Sequence, residues 1–227
     1  MTNLRQHQRP SIWRLTPLFG SILFLLFYLI ATLYYPGGSQ FSKNKSGFSW
    51  TQNYWCNLLN EKAINGLPNP ARPIALTAMV ILCLTLSLFW YVFPLQVEFS
   101  RPRRFVIQFS GFTAMATGLF LFTSLHDIII NVATGFGLIA LIGTLAGLKK
   151  LKWTRLLWMG LFIFVLIGLN NLLYYGKGLL IYLPVVQKIS FLYFLVWICC
   201  ITLRLNNRAA LREIETKENK TATTQTL

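Results

Sequence analysis

The chain has 227 residues, of which 55% are hydrophobic, 15% aromatic and only 12% charged, where an average soluble protein carries about 25% charged residues. A water-soluble fold of this size needs more charge to cover its surface, so the composition argues against that class and for an integral membrane protein. The net charge of +15 would suit nucleic acid, but the cations sit in clusters between apolar runs, as the positive-inside rule produces, and nucleic acid is set aside as a partner.

In chain order, residues 1–16 form a polar tail carrying Arg5, Arg9 and Arg14. The apolar run from Leu18 to Tyr35 is too long for a signal-peptide core, and ATLYYP lacks a small-residue cleavage site. It reads as a retained first membrane helix, ended by Pro36, Gly37 and Gly38. The segment that follows, YPGGSQFSKNKSGFSWTQNYWCNLLNEKAINGLPNPARP, is polar and far longer than the roughly 12–15 residues of an ordinary connector. Phe41, Phe48, Trp50, Tyr54 and Trp55 give it enough aromatic surface to fold, so residues 36–72 are expected to form a structured cap.

Pro73 is expected to open a second helix from Ile74 to Phe93 that Pro94 closes. A basic connector with Glu98, Arg101, Arg103 and Arg104 leads to a third, Phe105 to Leu125. A fourth apolar span, Ile128 to Leu148, follows so closely that the chain must turn sharply at His126–Asp127, with Asp127 as N-cap. Lys149, Lys150, Lys152 and Arg155 precede a fifth helix from Leu156 to Tyr174. Gly176 and Gly178 break the chain, Leu179–Leu183 dip into the interface, and a sixth helix starts near Pro184 and runs to about Leu203. A polar tail, 204–227, begins as helix and ends disordered in TATTQTL. The expected fold class is therefore all-α: a polytopic six-transmembrane-helix bundle over 17–203 with a long structured outer loop between helices 1 and 2.

Lys and Arg number fifteen over the two tails and the two basic connectors, against five on the other side, with Lys188 intramembrane. This asymmetry places both termini in the cytoplasm and the loop outside. Polar groups at membrane depth are costly unless paired, so they mark candidate sites. His126 and Asp127 lie at the outer end of helices three and four, with Asn131 one turn deeper on the face of Asp127. Asn170 and Asn171 lie near the outer end of helix five and Lys188 in the outer part of helix six. Asn53, Trp55 and Asn57 hang above in the loop. These nine converge on an outer-leaflet pocket, and membrane lipids are the expected partner.

Each has a plainer reading. Asp127 caps a helix. Lys188 snorkels outward rather than pairing with Asp127. Asn170 and Asn171 stitch helices together, and the tryptophans form an interface belt. The small residues Ala133, Gly137, Ala140 and Thr144, with Gly143 and Gly147, are expected to pack within the bundle. Cys56, the one cysteine in a long polar loop, lacks an obvious partner in the chain and is open to a bridge between chains.

No metal or other cofactor is expected. Bis-histidine haem ligation needs two axial ligands where the bundle offers His126 alone. A zinc hydrolase needs three or more protein ligands. Nucleotide-binding glycine patterns are absent. Ser124 beside His126 and Asp127 is not a convincing triad, because sequence neighbours rarely converge in space.

The loop motifs YPGG…GFSWTQNYWCNLL…NGLPNPARP and the His-Asp between helices three and four resemble an uncharacterised six-helix bacterial membrane protein family, and more distantly the Frag/DRAM/Sfk membrane proteins. The resemblance spans about Leu18 to Leu203 and is most specific at Asn53–Leu58 and Asn65–Pro70. It implies a six-helix membrane fold and brings no catalytic residues. The leading expectation is a non-enzymatic protein binding a lipid or small amphiphile. The alternatives are a lipid-modifying enzyme using His126 and Asp127 as acid/base groups, a proton-coupled small-molecule transporter titrating Asp127, and an accessory subunit holding a membrane-protein partner through the loop.

Overall fold

The computed structural model describes residues 12–123, 125–176 and 178–225. A 3-10 turn, Ile12–Leu15, leads into α1 (Thr16–Leu33). A short antiparallel hairpin follows, β1 (Gly37–Ser39) with β2 (Ser42–Ser46), paired Gly37 to Ser46 and Ser39 to Ser42. A second 3-10 turn, Trp55–Leu59, precedes α2 (Arg72–Gln96). The remaining helices are α3 (Arg101–Gly118), α4 (His126–Lys150), α5 (Thr154–Tyr175) and α6 (Leu183–Gln225), the last entered through a 3-10 turn at Leu180–Tyr182. Consecutive helices pack on one another, α1 also meets α6, and α2 touches α4 and α6 behind them. The bundle thus has a loop end, under residues 35–71, and a basic end, where most Lys and Arg lie.

Five helical segments are long and apolar enough to cross a membrane: Thr16–Leu33, Arg72–Gln96, Ile128–Lys150, Thr154–Tyr175 and Leu180–Arg212. Their outward faces carry large apolar side chains such as Leu33, Leu84, Trp158 and Leu172. Water would leave such faces unsatisfied and hydrocarbon does not, so this is a multi-pass membrane protein. The helix α3, which opens with Arg101, Arg103 and Arg104, is not among the five.

Several helix ends differ from expectation. The helix α2 continues through Pro94 to Gln96. A proline in the last turn removes only one helix bond, and Phe89 and Phe93, both buried, stack with centroids 5.5 Å apart and hold that turn in place. The helix α3 stops at Gly118, and residues 119–123 and 125 lie outside both helices, so the connection is looser than a two-residue corner. The apolar residues Phe120, Leu121 and Phe122 hid this stop, because hydropathy alone does not separate helix from turn. The helix α4 begins at His126 with Leu125 in the cap position, which makes Asp127 a first-turn residue instead of the N-cap. The helix α6 runs on to Gln225, so the stretch from Thr221 expected to be disordered is helical that far.

Close packing centres on small residues. A Cβ on Gly143 would lie 2.4 Å from Ile107 Cγ1, and one on Gly147 2.6 Å from Phe93 Cζ. Ala140 and Thr144 are fully buried, so this stripe serves the interior of the bundle as expected. On α5, a Cβ on Gly160 would lie 2.4 Å from Leu145 Cδ2 and 2.6 Å from Trp197 Cζ2. Trp197 itself donates from Nε1 to the Leu156 carbonyl at 2.8 Å, joining α6 to α5.

At the basic end one residue ties three elements together. Glu98, in the α2–α3 turn, adopts the left-handed region at φ 58°. Its carbonyl accepts from Lys150 Nζ at 2.8 Å, and its Oε1 accepts from Arg212 at 2.8 Å. The hydrogen bond and charge of Arg212 hold the Glu98 carboxyl below its usual range, with help from Arg208 and Lys150. A folded-state pKa that is depressed stabilises above the unfolded value, near 4.3, and that contribution fades as pH falls through the folded value. Glu98→Gln is therefore expected to speed amide exchange in α6 beyond Leu205 at neutral pH while leaving the bundle interior unchanged. Acidification below about pH 4 is expected to do the same to the unmodified chain.

Candidate functional site

The loop end is built around asparagine amides. Asn53 is fully buried; its Oδ1 accepts from the Ser49 N–H at 2.8 Å, and its Nδ2 donates to the Gly38 carbonyl at 2.8 Å. Asn57 Oδ1 accepts from the Tyr54 N–H at 2.7 Å, which starts the 3-10 turn. Asn69 Nδ2 reaches the carbonyls of Leu58 and Asn60 at 3.1 and 2.9 Å and lies 3.4 Å from that of Asn57, while its Oδ1 accepts from the Ala71 N–H at 3.2 Å. These amides satisfy backbone groups that the absence of regular structure would otherwise leave unpaired. Gly38, at φ 81°, lies where a Cβ would come 2.4 Å from the Asn65 nitrogen, so two strands of the loop cross at a point only glycine permits.

The cap is seated on the bundle by aromatic contact and one cation. Trp55 sits among Phe24, Tyr28 and Phe191 at centroid distances of 6.0, 5.2 and 5.3 Å, so it is an internal wedge between α1 and α6 rather than part of an interface belt. Trp50, by contrast, is 47% exposed. Lys188 does not snorkel to water: it is buried, and its ammonium donates to the carbonyls of Asn53 and Pro184 and lies 5.7 Å from the centre of the Phe48 ring. Among the described residues no carboxylate pairs with it. Burial pushes the Cys56 thiol up to about 11, against a small opposing pull from Lys188, so Cys56 is a poor nucleophile while the cap is seated. All four cysteines are free.

The other expected site residues fall elsewhere. Asn170 Nδ2 donates to Leu166 O at 2.8 Å and to Ser190 Oγ at 2.7 Å, a stitch between α5 and α6. Asn171 is exposed and donates back to Ile167 O at 2.9 Å. Asn131 is exposed on α4. The roles expected of the His126 and Asp127 side chains, including a pair with Lys188, lie outside the described residues, as does Ser124. The seven of the nine whose side chains are described therefore divide: Asn53, Trp55, Asn57 and Lys188 hold the cap, Asn170 joins two helices, and Asn131 and Asn171 are exposed.

Those last two share a setting that periodicity did not reveal. On α4, Asn131, Thr134, Leu138 and Leu145 share a helical stripe, as do Gly160, Phe164, Gly168 and Asn171 on α5. Leu145 against Gly160 shows that the stripes face each other and touch near the basic end. Toward the loop end the contact loosens. Thr134, Gly135 and Gly168 are exposed, and a Cβ on either glycine would meet nothing within 4 Å. Toward the loop end the two stripes thus leave open space beside Gly135 and Gly168, with the exposed amides of Asn131 and Asn171 near it and the half-buried Leu138 and Phe164 further toward the basic end. The sequence signal was present in glycines at membrane depth, but nothing in composition separates a glycine that admits a neighbour from one that leaves a gap.

Among the described residues no cluster of three or more His, Cys, Asp and Glu is placed to hold a metal ion. The chain matches no protein-family model, no curated protein and no solved structure.

Proposed function

We propose that this chain is a six-helix protein of the cell membrane, with both termini cytoplasmic and the cap outside, that holds a lipid or similar small amphiphile between the outer halves of α4 and α5. The observation that carries the reading is the change from exposed amides to apolar side chains along the two stripes, beside glycines with open space next to them. Amides exposed at membrane depth are costly without partners. An amphiphile with its headgroup beside the amides and its chain along Leu138 and Phe164 would supply them. The orientation follows from the count of cations on the two sides. In this reading α3 is the sixth crossing, since α2 and α4 flank it through short connections and its arginines occupy only its first turn. The likeness to the six-helix bacterial family belongs to the same proposal; Asn53, Asn57 and Asn69, in its most specific stretches, are the residues that hold the cap together.

A lipid-modifying enzyme is the second reading. The register of α4 favours it, because Asp127 stands four residues before Asn131, at the head of the same stripe. Asp127→Asn separates the two: loss of a lipid-dependent phenotype with retained lipid binding would favour chemistry over carriage.

Gly168→Leu tests the first reading. The added side chain enters open space, so thermal stability is expected to hold while lipid retained through mild extraction, read by native mass spectrometry, disappears. Absence of bound lipid from the unmodified protein, or equal retention by the variant, would refute the assignment.

A further inference from the structure

The seam between the cap and α6 holds two polar atoms that its other bonds leave unspent. Trp55 Nε1 and Gln187 Oε1 are both buried without a hydrogen-bond partner among the described residues. The first is a donor on the cap and the second an acceptor on the helix. Neighbouring contacts bring the two residues to the same level of the seam. The Trp55 ring lies 5.3 Å from that of Phe191, and Phe191 stands one turn on from Gln187, on the same face of α6. Asn53, two residues before Trp55, gives its carbonyl to Lys188, the chain neighbour of Gln187. The cap therefore crosses α6 within a turn of Gln187. Asn170, which reaches α6 from α5, does not serve Gln187, because its amide nitrogen already donates to the Leu166 carbonyl and to Ser190 Oγ. A buried donor or acceptor left unpaired is costly, and here one of each kind is left so at a single seam. The observed seat of the cap thus joins Lys188 to Asn53 and forgoes a bond between Trp55 and Gln187.

We infer that the cap has a second seat on α6, in which Trp55 Nε1 donates to Gln187 Oε1 and Lys188 releases the Asn53 carbonyl. The cap is then a lid with two resting positions, and passage between them is a shift of the Trp55–Leu59 turn along α6 by less than one helical turn. Two positions persist because each pairs groups that the other leaves unpaired. Lys188 is not stranded by the shift, since it keeps the Pro184 carbonyl of its own helix as acceptor. Trp55 stays against Phe191, so little apolar surface is uncovered. Cys56, the chain neighbour of Trp55, leaves its buried place in the second seat and its thiol meets water.

The test follows maleimide labelling of Cys56 in the full chain in neutral detergent, read on the Cys56 peptide by mass spectrometry. Trp55→Phe and Gln187→Leu each remove one end of the second seat's bond, and each is expected to slow labelling severalfold. A misfolded variant exposes the thiol and labels faster, so a slower rate is not an artefact of lost structure. The double variant is expected to label at the rate of the slower single one, because both substitutions break the same bond. Lys188→Met, which removes the bond of the observed seat, is expected to speed labelling severalfold. The unmodified chain supplies a measurement that no variant can spoil: the indole N–H resonance of Trp55 is expected in two positions, with Lys188→Met favouring one and Gln187→Leu the other. A single sharp resonance shared by the unmodified chain and Lys188→Met, with Trp55→Phe and Gln187→Leu labelling no more slowly than the unmodified chain, would overturn the inference. Gly168→Leu is expected to leave the labelling rate unchanged, so this reading and the lipid reading fail separately.

Discussion

Replacing Asn69 with leucine is expected to release the cap from the bundle. The substitution nearly preserves volume but removes both faces of the amide. The carbonyls of Leu58 and Asn60 lose a donor and the Ala71 N–H loses its acceptor, all in a region where Leu58, Leu59 and Ala71 are buried. Each buried backbone group left unpaired costs about 1–3 kcal/mol, so the three together are expected to cost the cap about 3 kcal/mol or more. Cys56 reports the outcome. With the cap seated its thiol is pushed up to about 11 and should resist maleimide at neutral pH. With the cap released it should label at the rate of an ordinary cysteine, whose pKa is near 8.5. Trypsin cleavage after Lys62 should rise in parallel. A variant whose Cys56 stays silent and whose Lys62 stays uncut would show that the aromatic wedge around Trp55 suffices without the amides.

The second large effect is expected where helices touch most closely. A Cβ on Gly111 would lie 2.6 Å from both Cβ and Cγ of Trp90. Those atoms sit at the root of the side chain, so no rotamer change relieves the clash. Trp90 is itself buried and donates from Nε1 to Thr144 at 3.3 Å. Gly111→Val must therefore part α2 from α3 or drive Trp90 away from α4. Overpacking of this kind costs about 1–3 kcal/mol, occasionally more. The cost is expected as a lowered melting midpoint in detergent. Gly168→Leu is the paired control, a larger residue at a glycine with open space beside it. Equal melting of the two variants would mean that the spacing around these glycines does not govern stability.

The comparison of sequence with structure turns on what kind of signal each feature leaves. Apolar runs bounded by proline, glycine and basic clusters gave the helices and their order, because hydrocarbon demands length and apolarity directly. The end of α3 was hidden because Phe120, Leu121 and Phe122 stay apolar past Gly118. Among candidate site residues, the polar side chains at membrane depth were legible as unusual, and their roles were not. Lys188 illustrates why: beside the nearby Pro184 carbonyl it bonds the carbonyl of Asn53, 135 residues away, and a backbone acceptor leaves no mark in the sequence of either segment. The Asn-rich loop drew attention as a binding surface, whereas Asn53, Asn57 and Asn69 spend their amides on the loop itself. Glu98 reads in the sequence only as a member of a basic connector, although it is the point where three elements meet.

The uninterrupted course of α6 has a mechanical consequence. Its 43 residues make a rod about 65 Å long, gripped near one end through Lys188 and, some 36 Å further along, through Arg212. With no proline or glycine between those two grips to act as a joint, a tilt imposed on one side of the bilayer is transmitted to the other as the swing of a lever.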